Sequence, residues 1–541
     1  MVSNNINTPE GTRDRLFSES RALREVEAAI TGVFKTYNYS EIMTPEIEFY
    51  SMFVQTGNPL DEESMVKIID KSGRILVMRP DNTTPIARVA ATRLKDSGAQ
   101  RLYYNQTVFR SGSVNHGVEN EIPQCGVELI GVGGIESDAE ILELAVKSLG
   151  SVAGDSFHIE IGHAGLFMAI AKELDAAGSE IEKIRGCIER KQFAVLKDYL
   201  SRFENKKAAA ALERLSHMFG SVKVLDEADR LFDTTEAREA VSWLRRLYAI
   251  MEEKGLERYI RFDLGMVHQI DYYTGVVFRG YVHGAADRVL SGGRYDNLLG
   301  CFGTDAPASG FAIYTGSVEE CLKSEAGAGR DRLRIAITKG RLLEKSVEMM
   351  EKMGLDCAEV RNPGRRLVAG IGNYDLDVVM SKAQDVITYV EHGVCDMGIV
   401  GKDTILEGDG TFYEVLDLGF GKCRFMLAVK DGFDFYGSYK SRTVASKYPN
   451  VAKKYFADKG MDVSVIKIEG SVELAPILNL TDGIVDIVET GSTLKANGLV
   501  QVEKLHDVSA RLIVNTASMK LYKRQILDFI RKCEDVIDAG D

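Results

Sequence analysis

A chain of 541 residues is too long for one ordinary core, and 45% hydrophobic with 27% charged residues is the composition of several packed domains, not of a disordered or fibrous protein. Its formal net charge of −13 opposes a nucleic-acid backbone as a partner, while a small polyanion could still bind in a locally basic pocket. The eight cysteines form no CxxC pair and no zinc-type spacing, and neither a leader pattern nor a run of ~20 apolar residues is visible, so a reduced, cytoplasmic protein with no membrane segment is expected.

In chain order, apolar residues at Leu23, Val26, Ile30, Val33, Phe34 and Tyr37 have helical spacing. Strand-like runs follow in RILVM (74–78), RLYYNQTVF (101–109) and FHIEIG (157–162). A stretch from about 166 to 256 is rich in Ala, Glu, Lys, Leu and Arg with few breakers and predicts a helical insertion. Strands return in RYIRFDLG (258–265) and GVVFRGYV (275–282), giving an α+β antiparallel sheet domain over 1–322. KSEAGAGRD (323–331) is small, polar and without periodicity, which predicts a linker.

Beyond it, over 332–541, strand and helix alternate. LRIAIT (333–338) predicts a buried strand, KGRLLEKSVEMMEKMG (339–354) a helix stopped at Gly354, and CDMGIVG (395–401), CRFMLAVK (423–430) and DGIVDIVE (482–489) further strands of mostly parallel α/β sheets.

The segment 482–499 carries the most chemistry. An apolar strand with one interior acid, Asp486, ends at Glu489 and meets Thr490, Gly491, Ser492 and Thr493, after which a helix can open. Such a loop offers several amides and hydroxyls to a single phosphate, helped by the helix dipole. Acids cannot face that phosphate without repulsion, so acid and loop are expected to hold different ends of one sugar phosphate. The plainer alternative is a capped turn. Cationic candidates are Lys339 and Arg341 in the turn after the first strand, and Arg365 beside Arg366 in NPGRRLV (362–368). Guanidinium forks match phosphate oxygens, although solvated surface cations are the commoner fate of a single Lys or Arg.

ITKGRL (337–342), YVEHGVCDMGIVGKDTILE (389–407), LDLGFGKCR (416–424), SKYP (446–449), EGSVELAP (469–476) and the phosphate loop together resemble the short form of the ATP phosphoribosyltransferase catalytic subunit, over almost everything from Arg332 onward. The resemblance implies a two-lobed α/β fold like that of periplasmic binding proteins and the joining of ATP to phosphoribosyl pyrophosphate, the first step of histidine biosynthesis. It further implies Mg²⁺ as cofactor with no metal site built from protein side chains, and absence of the long form's C-terminal regulatory domain. Lys339, Arg365 and Lys382 are then catalytic cations. Asp486, Glu489, the loop 490–493 and Glu473 would hold phosphoribosyl pyrophosphate, while Arg341, Asp403 and Glu407 would hold ATP. Asp403 and Glu407 could instead pair with a helix end, and Glu473 could cap the helix that follows it. Lys382 stands where the family usually has arginine and Ile387 where it has proline, so Lys382 keeps charge but loses the bidentate fork.

MRPDNTTPIAR (78–88), YYNQTVFR (103–110), PQCGVELIG (123–131), QIDYYTGVVF (269–278) and SGGRYDNLL (291–299) resemble the core of histidyl-tRNA synthetase, a class II synthetase, from about Pro9 to Cys321. Three positions depart from it: Gly112 for an acid, His268 for an arginine and Ser317 for a late arginine. Without cations to polarise a triphosphate, amino-acid activation is not expected. Asp81, Thr83, Arg110, Gln124, Glu128, Tyr272 and Tyr273 match the histidine pocket, which implies a regulatory unit with histidine as feedback ligand. His268 and His116 have no second ligand at metal spacing. A homo-oligomer is expected. The competing functions are a histidyl-tRNA ligase with an accessory domain, and a non-enzymatic histidine or nucleotide sensor.

Overall fold

The computed structural model describes residues 7–56, 62–111, 119–267, 273–323, 332–408, 410–437 and 440–539. The chain divides into two compact units, residues 1–330 and 331–541. Residues 324–331 of the expected linker, together with Gly112, His116, His268 and Tyr272, lie outside the described residues.

The first unit is built on a nine-stranded sheet. Its spatial order runs Ser40–Glu41, Gln100–Phe109, Glu121–Ile130, Ala308–Tyr314, Leu290–Arg294, Val276–Val282, Phe157–His163, Ile260–Asp263 and Phe219–Gly220. Its central pairs are antiparallel, Ser40–Glu41 pairs parallel with Gln100–Phe109, and Ile260–Asp263 pairs parallel with Phe157–His163 but antiparallel with Phe219–Gly220. Period-two alternation divides the central strand Glu121–Ile130 chemically. Cys125, Val127 and Leu129 enter a core with helices Phe17–Thr36 and Ile135–Ala153, whereas Gln124, Gly126 and Glu128 share the opposite face. Helices between Ala164 and Glu253 cover the other end, and their Leu196, Leu212 and Leu244 belong to the same buried cluster. Trp243 ties them down by donating its indole N–H to Asp138 at 2.9 Å.

The second unit has a six-stranded and a five-stranded sheet. In the first, Leu376–Ser381, Leu333–Thr338 and Met397–Gly401 run parallel, flanked by antiparallel Val368–Gly370 and Ala510–Val514. In the second, Val463–Lys467, Arg442–Ser446 and Gly483–Val488 run parallel, with Cys423–Lys430 and Leu499–Val508 antiparallel beyond them. Both sheets are therefore mixed, not mostly parallel as the strand–helix rhythm predicts. An edge strand that returns without a helix leaves no mark in that rhythm. The chain passes between the sheets twice, after Tyr413–Asp417 and again at Ser509.

Among the described residues no helix is long and apolar enough to cross a membrane. All eight cysteines are free thiols.

Candidate functional site

In an open α/β sheet, ligands bind beyond the carboxyl ends of the parallel strands. At that end of the six-stranded sheet, Thr338 and Ser381 are paired, which sets Lys339 and Lys382 side by side. The Lys339 amide donates to Ser381 O at 2.9 Å, pinning the turn. Both lysines are exposed, and Lys382 occupies the N-cap of helix Ala383–Glu391. Arg365 is exposed in the turn before the edge strand Val368–Gly370, whose antiparallel register brings it to the same end. Four cations from three turns thus converge on one sheet end, with Arg341, in the same turn as Lys339, opening helix Arg341–Lys352.

The corresponding end of the five-stranded sheet is acidic. Strand Gly483–Val488 runs into Glu489 and the loop, and Gly491 takes φ +79°. A Cβ there would stand 2.4 Å from Gln501 Nε2, the movable tip of a flexible side chain, so position 491 needs glycine chiefly for its conformation. Thr490 and Ser492 hydroxyls are 3.0 Å apart, and the loop is solvent-facing. The helix after it, Ser492–Ala496, has only five residues, so its dipole is weaker than the sequence suggests and the amides themselves must supply the field.

Asp486 is largely buried. Burial raises its carboxyl to about 6, against the opposing hydrogen bond from the Ile487 amide at 2.8 Å; Glu473 and Asp403 push the same way as burial, while Lys447 opposes. These acids therefore sense one another. Glu473 itself starts the short helix Leu474–Ile477 without capping it through its side chain. Among the described residues no group of three or more His, Cys, Asp or Glu could hold a metal ion.

The two ends meet. Arg341 Nη1 lies 2.7 Å from Glu489 Oε2, joining the basic turn of one sheet to the phosphate loop of the other. Both partners are more than half exposed, so the pair marks proximity more than it stabilises. Asp403 accepts from the Tyr448 hydroxyl at 2.8 Å. Glu407 is different: its carboxylate takes the amides of Asn450 and Val451 at 3.0 and 3.1 Å, the first turn of helix Pro449–Asp458. Sequence assigned Glu407 to ATP, with a helix end as the alternative. The structure places it at the helix end, where the first-turn N–H groups lack intrahelical acceptors. Lys447, Tyr448 and Gln501 escaped the sequence reading, although SKYP was a visible block, because their partners lie far away in the chain.

In the first unit, Thr83 donates to Glu128 Oε1 at 2.8 Å and Tyr295 donates to its other oxygen. Asn82 donates to Gln124 at 3.1 Å, and Arg110 Nε to Pro80 O at 2.9 Å. Glu128 is 1% exposed, and burial raises it to about 8; the two hydroxyl bonds oppose that rise and Asp81 adds to it. Gly310 lies across from it, where any Cβ would meet Glu128 Oε2 at 2.0 Å. Tyr273 packs against the buried cluster that includes Tyr104 and Tyr295. Asp81 accepts from the amide and hydroxyl of Thr84 at 2.7 and 3.1 Å. Tyr295 is the member the sequence did not single out, although it stands within the quoted GGRYD block.

Comparison with known proteins matches residues 11–318 to the histidyl-tRNA synthetase model and residues 382–535 to the ATP phosphoribosyltransferase model. The chain is 37% identical over 351 residues to an ATP phosphoribosyltransferase regulatory subunit of Clostridium botulinum, covering 64% of this chain and 83% of that protein. It is 56% identical over 206 residues to an ATP phosphoribosyltransferase of Clostridium kluyveri, covering 38% of this chain and 94% of the other. A solved ATP phosphoribosyltransferase regulatory subunit/histidyl-tRNA synthetase of Bacillus halodurans aligns with TM-score 0.56 at 28% identity, over 70% of this chain and 93% of its own.

Proposed function

Because the chain belongs to the ATP phosphoribosyltransferases in its second unit and to their histidyl-tRNA synthetase-like regulatory subunits in its first, we propose that it joins ATP to phosphoribosyl pyrophosphate at the first step of histidine biosynthesis and senses histidine in the same polypeptide. The observation that carries the reading is the meeting of a cationic turn and an acid-flanked phosphate loop through Arg341 and Glu489 at 2.7 Å.

N1 of the adenine attacks C1 of the ribose; the N1–C1 bond forms, the C1–O bond breaks, and pyrophosphate leaves with the electron pair. The nucleophile is a neutral ring nitrogen, so no side-chain base is required. What needs stabilising is negative charge on the departing pyrophosphate, the role of Lys339, Arg365 and Lys382. Loop 490–493 receives the sugar's 5′-phosphate, while Asp486, Glu489 and Glu473 accept from its hydroxyls and favour the cationic ribose. Arg341 and Asp403 line the ATP side, with Glu407 holding Asp403's helix against Pro449–Asp458. Substrate exchanges partners with the exposed Arg341–Glu489 pair at little cost. We read the two sheets as lobes of a periplasmic-binding-protein-like clamp.

Mg²⁺ fits this donor set as a substrate-borne ion. It usually keeps its waters and takes one or two carboxylates plus phosphates, here Asp486 or Glu473. When bound it supplies charge neutralisation to the pyrophosphate.

For the first unit, Asp81, Thr83, Arg110, Gln124, Glu128, Tyr272 and Tyr273 are the residues assigned to histidine, and Asp81 also fixes the start of the helix that presents Thr83. The working form is a homo-oligomer. Pyrophosphate release measured with both substrates tests the reading: turnover that requires Mg²⁺ and both substrates is expected, and histidine-dependent ATP–pyrophosphate exchange in its place would overturn it.

A further inference from the structure

Apart from the polar group around Glu128, the first unit has a cavity of about 860 Å³, the size of a small-molecule site. Two arginines line it whose partners do not use their full capacity. Arg288 bonds to Tyr314, yet its Nε–H is buried with no acceptor among the described residues. Arg110 spends its Nε on Pro80 O and keeps two terminal nitrogens for other partners. Tyr314 stands between them, its hydroxyl 3.0 Å from Ser291 Oγ. Burial alone would push that phenol up, but the Arg288 and Arg110 charges outweigh it and hold the group below its usual value. The phenol thus already samples a field that favours an anion.

The rim has the opposite sign. Glu10, Glu119, Asp287 and Glu320 line it, and Arg13 is engaged with Glu119 and Glu320. Four carboxylates against three arginines repel a triphosphate, and Ser317 offers it no charge. A single phosphate among the arginines, attached to a body rich in hydroxyl or amino donors facing the acids, satisfies both ends.

We propose that this cavity is a second ligand site, separate from the transfer cleft, that takes a phosphate monoester with a hydroxyl- or amino-bearing body through Arg288 and Tyr314, with Arg110 shared between it and the histidine pocket. Two guanidiniums and a phenol can supply donors for three phosphate oxygens, one more than a carboxylate presents.

Equilibrium dialysis of labelled ribose 5-phosphate against the full chain tests this. The wild type is expected to bind two equivalents. Arg288→Met, which keeps the aliphatic stem, should lose the cavity's equivalent, and Gly491→Ala should keep it while losing the one in the cleft. Tyr314→Phe, folded by its melting temperature, should weaken the cavity equivalent at least fivefold and covers the case in which Arg288→Met does not fold. Retention of every bound equivalent at full affinity in the folded arginine or tyrosine variant would overturn the site. Inorganic phosphate should compete at least tenfold more weakly than the ester; equal affinity would overturn the assignment to a monoester. Should Gly491→Ala change nothing while Arg288→Met abolishes binding, the cavity stands and the cleft reading fails.

Discussion

Asp486 and Glu128 are carboxylates moved in the same direction by the same first cause, loss of water, but they meet different demands. In the role proposed for it, Asp486 accepts from ribose hydroxyls most strongly when ionised. Raised to about 6, it is charged above that pH and neutral below, so kcat/KM should fall as pH drops through about 6. The Asp486→Asn variant should show a lower plateau without that acidic limb; an unchanged limb would assign it to another group. Glu128, raised to about 8, is largely protonated near neutrality, and a ligand that brings its own donor or positive charge would favour the ionised form. Composition gave no access to either value. The residue types were legible, Asp486 as the one acid in an apolar strand and Glu128 through family resemblance, but burial is a property of the folded neighbourhood.

At the scale of elements, the strand runs and the Thr-Gly-Ser-Thr turn were readable because apolar periodicity and glycine chemistry are local. Helix length was not: the sequence shows that a helix can open after Gly491 but not that it stops after five residues. Sheet direction was not legible either, since Ala510–Val514 pairs antiparallel with Met397–Gly401 across more than a hundred intervening residues. Glu407 shows the same limit. Its partners, the amides of helix Pro449–Asp458, are 43 and 44 positions away, so spacing could not separate a cap from a ligand. Truncating a side chain that caps a helix costs about 1 kcal/mol, which lowers the midpoint of a unit this size by about 2–4 °C. Glu407→Ala should show that loss in thermal unfolding of the second unit, with kcat falling less than tenfold. An unchanged midpoint with activity abolished would return Glu407 to the substrate.

For the whole molecule, one polypeptide keeps regulatory unit and enzyme at fixed stoichiometry and high effective concentration. Feedback requires histidine to bind the less active arrangement of the assembly more tightly. Initial rates titrated with histidine should fall in the wild type and need at least tenfold more histidine in Glu128→Gln, whose basal rate stays unchanged; equal inhibition of both would remove Glu128 from the sensor. The two-unit division follows compositional changes that any reader of the sequence can see, whereas the pairing of a cationic sheet end with an acidic one depends on two crossings of the chain between sheets and belongs to the tertiary structure alone. The most direct test of that pairing is the initial rate of pyrophosphate release with both substrates varied, in the wild type and in Gly491→Ala. A Cβ at 491 disturbs only the phosphate loop and Gln501, so KM for phosphoribosyl pyrophosphate should rise at least tenfold while KM for ATP stays within about twofold, tenfold being about 1.4 kcal/mol of lost binding. Equal values for phosphoribosyl pyrophosphate in the two proteins would contradict the account.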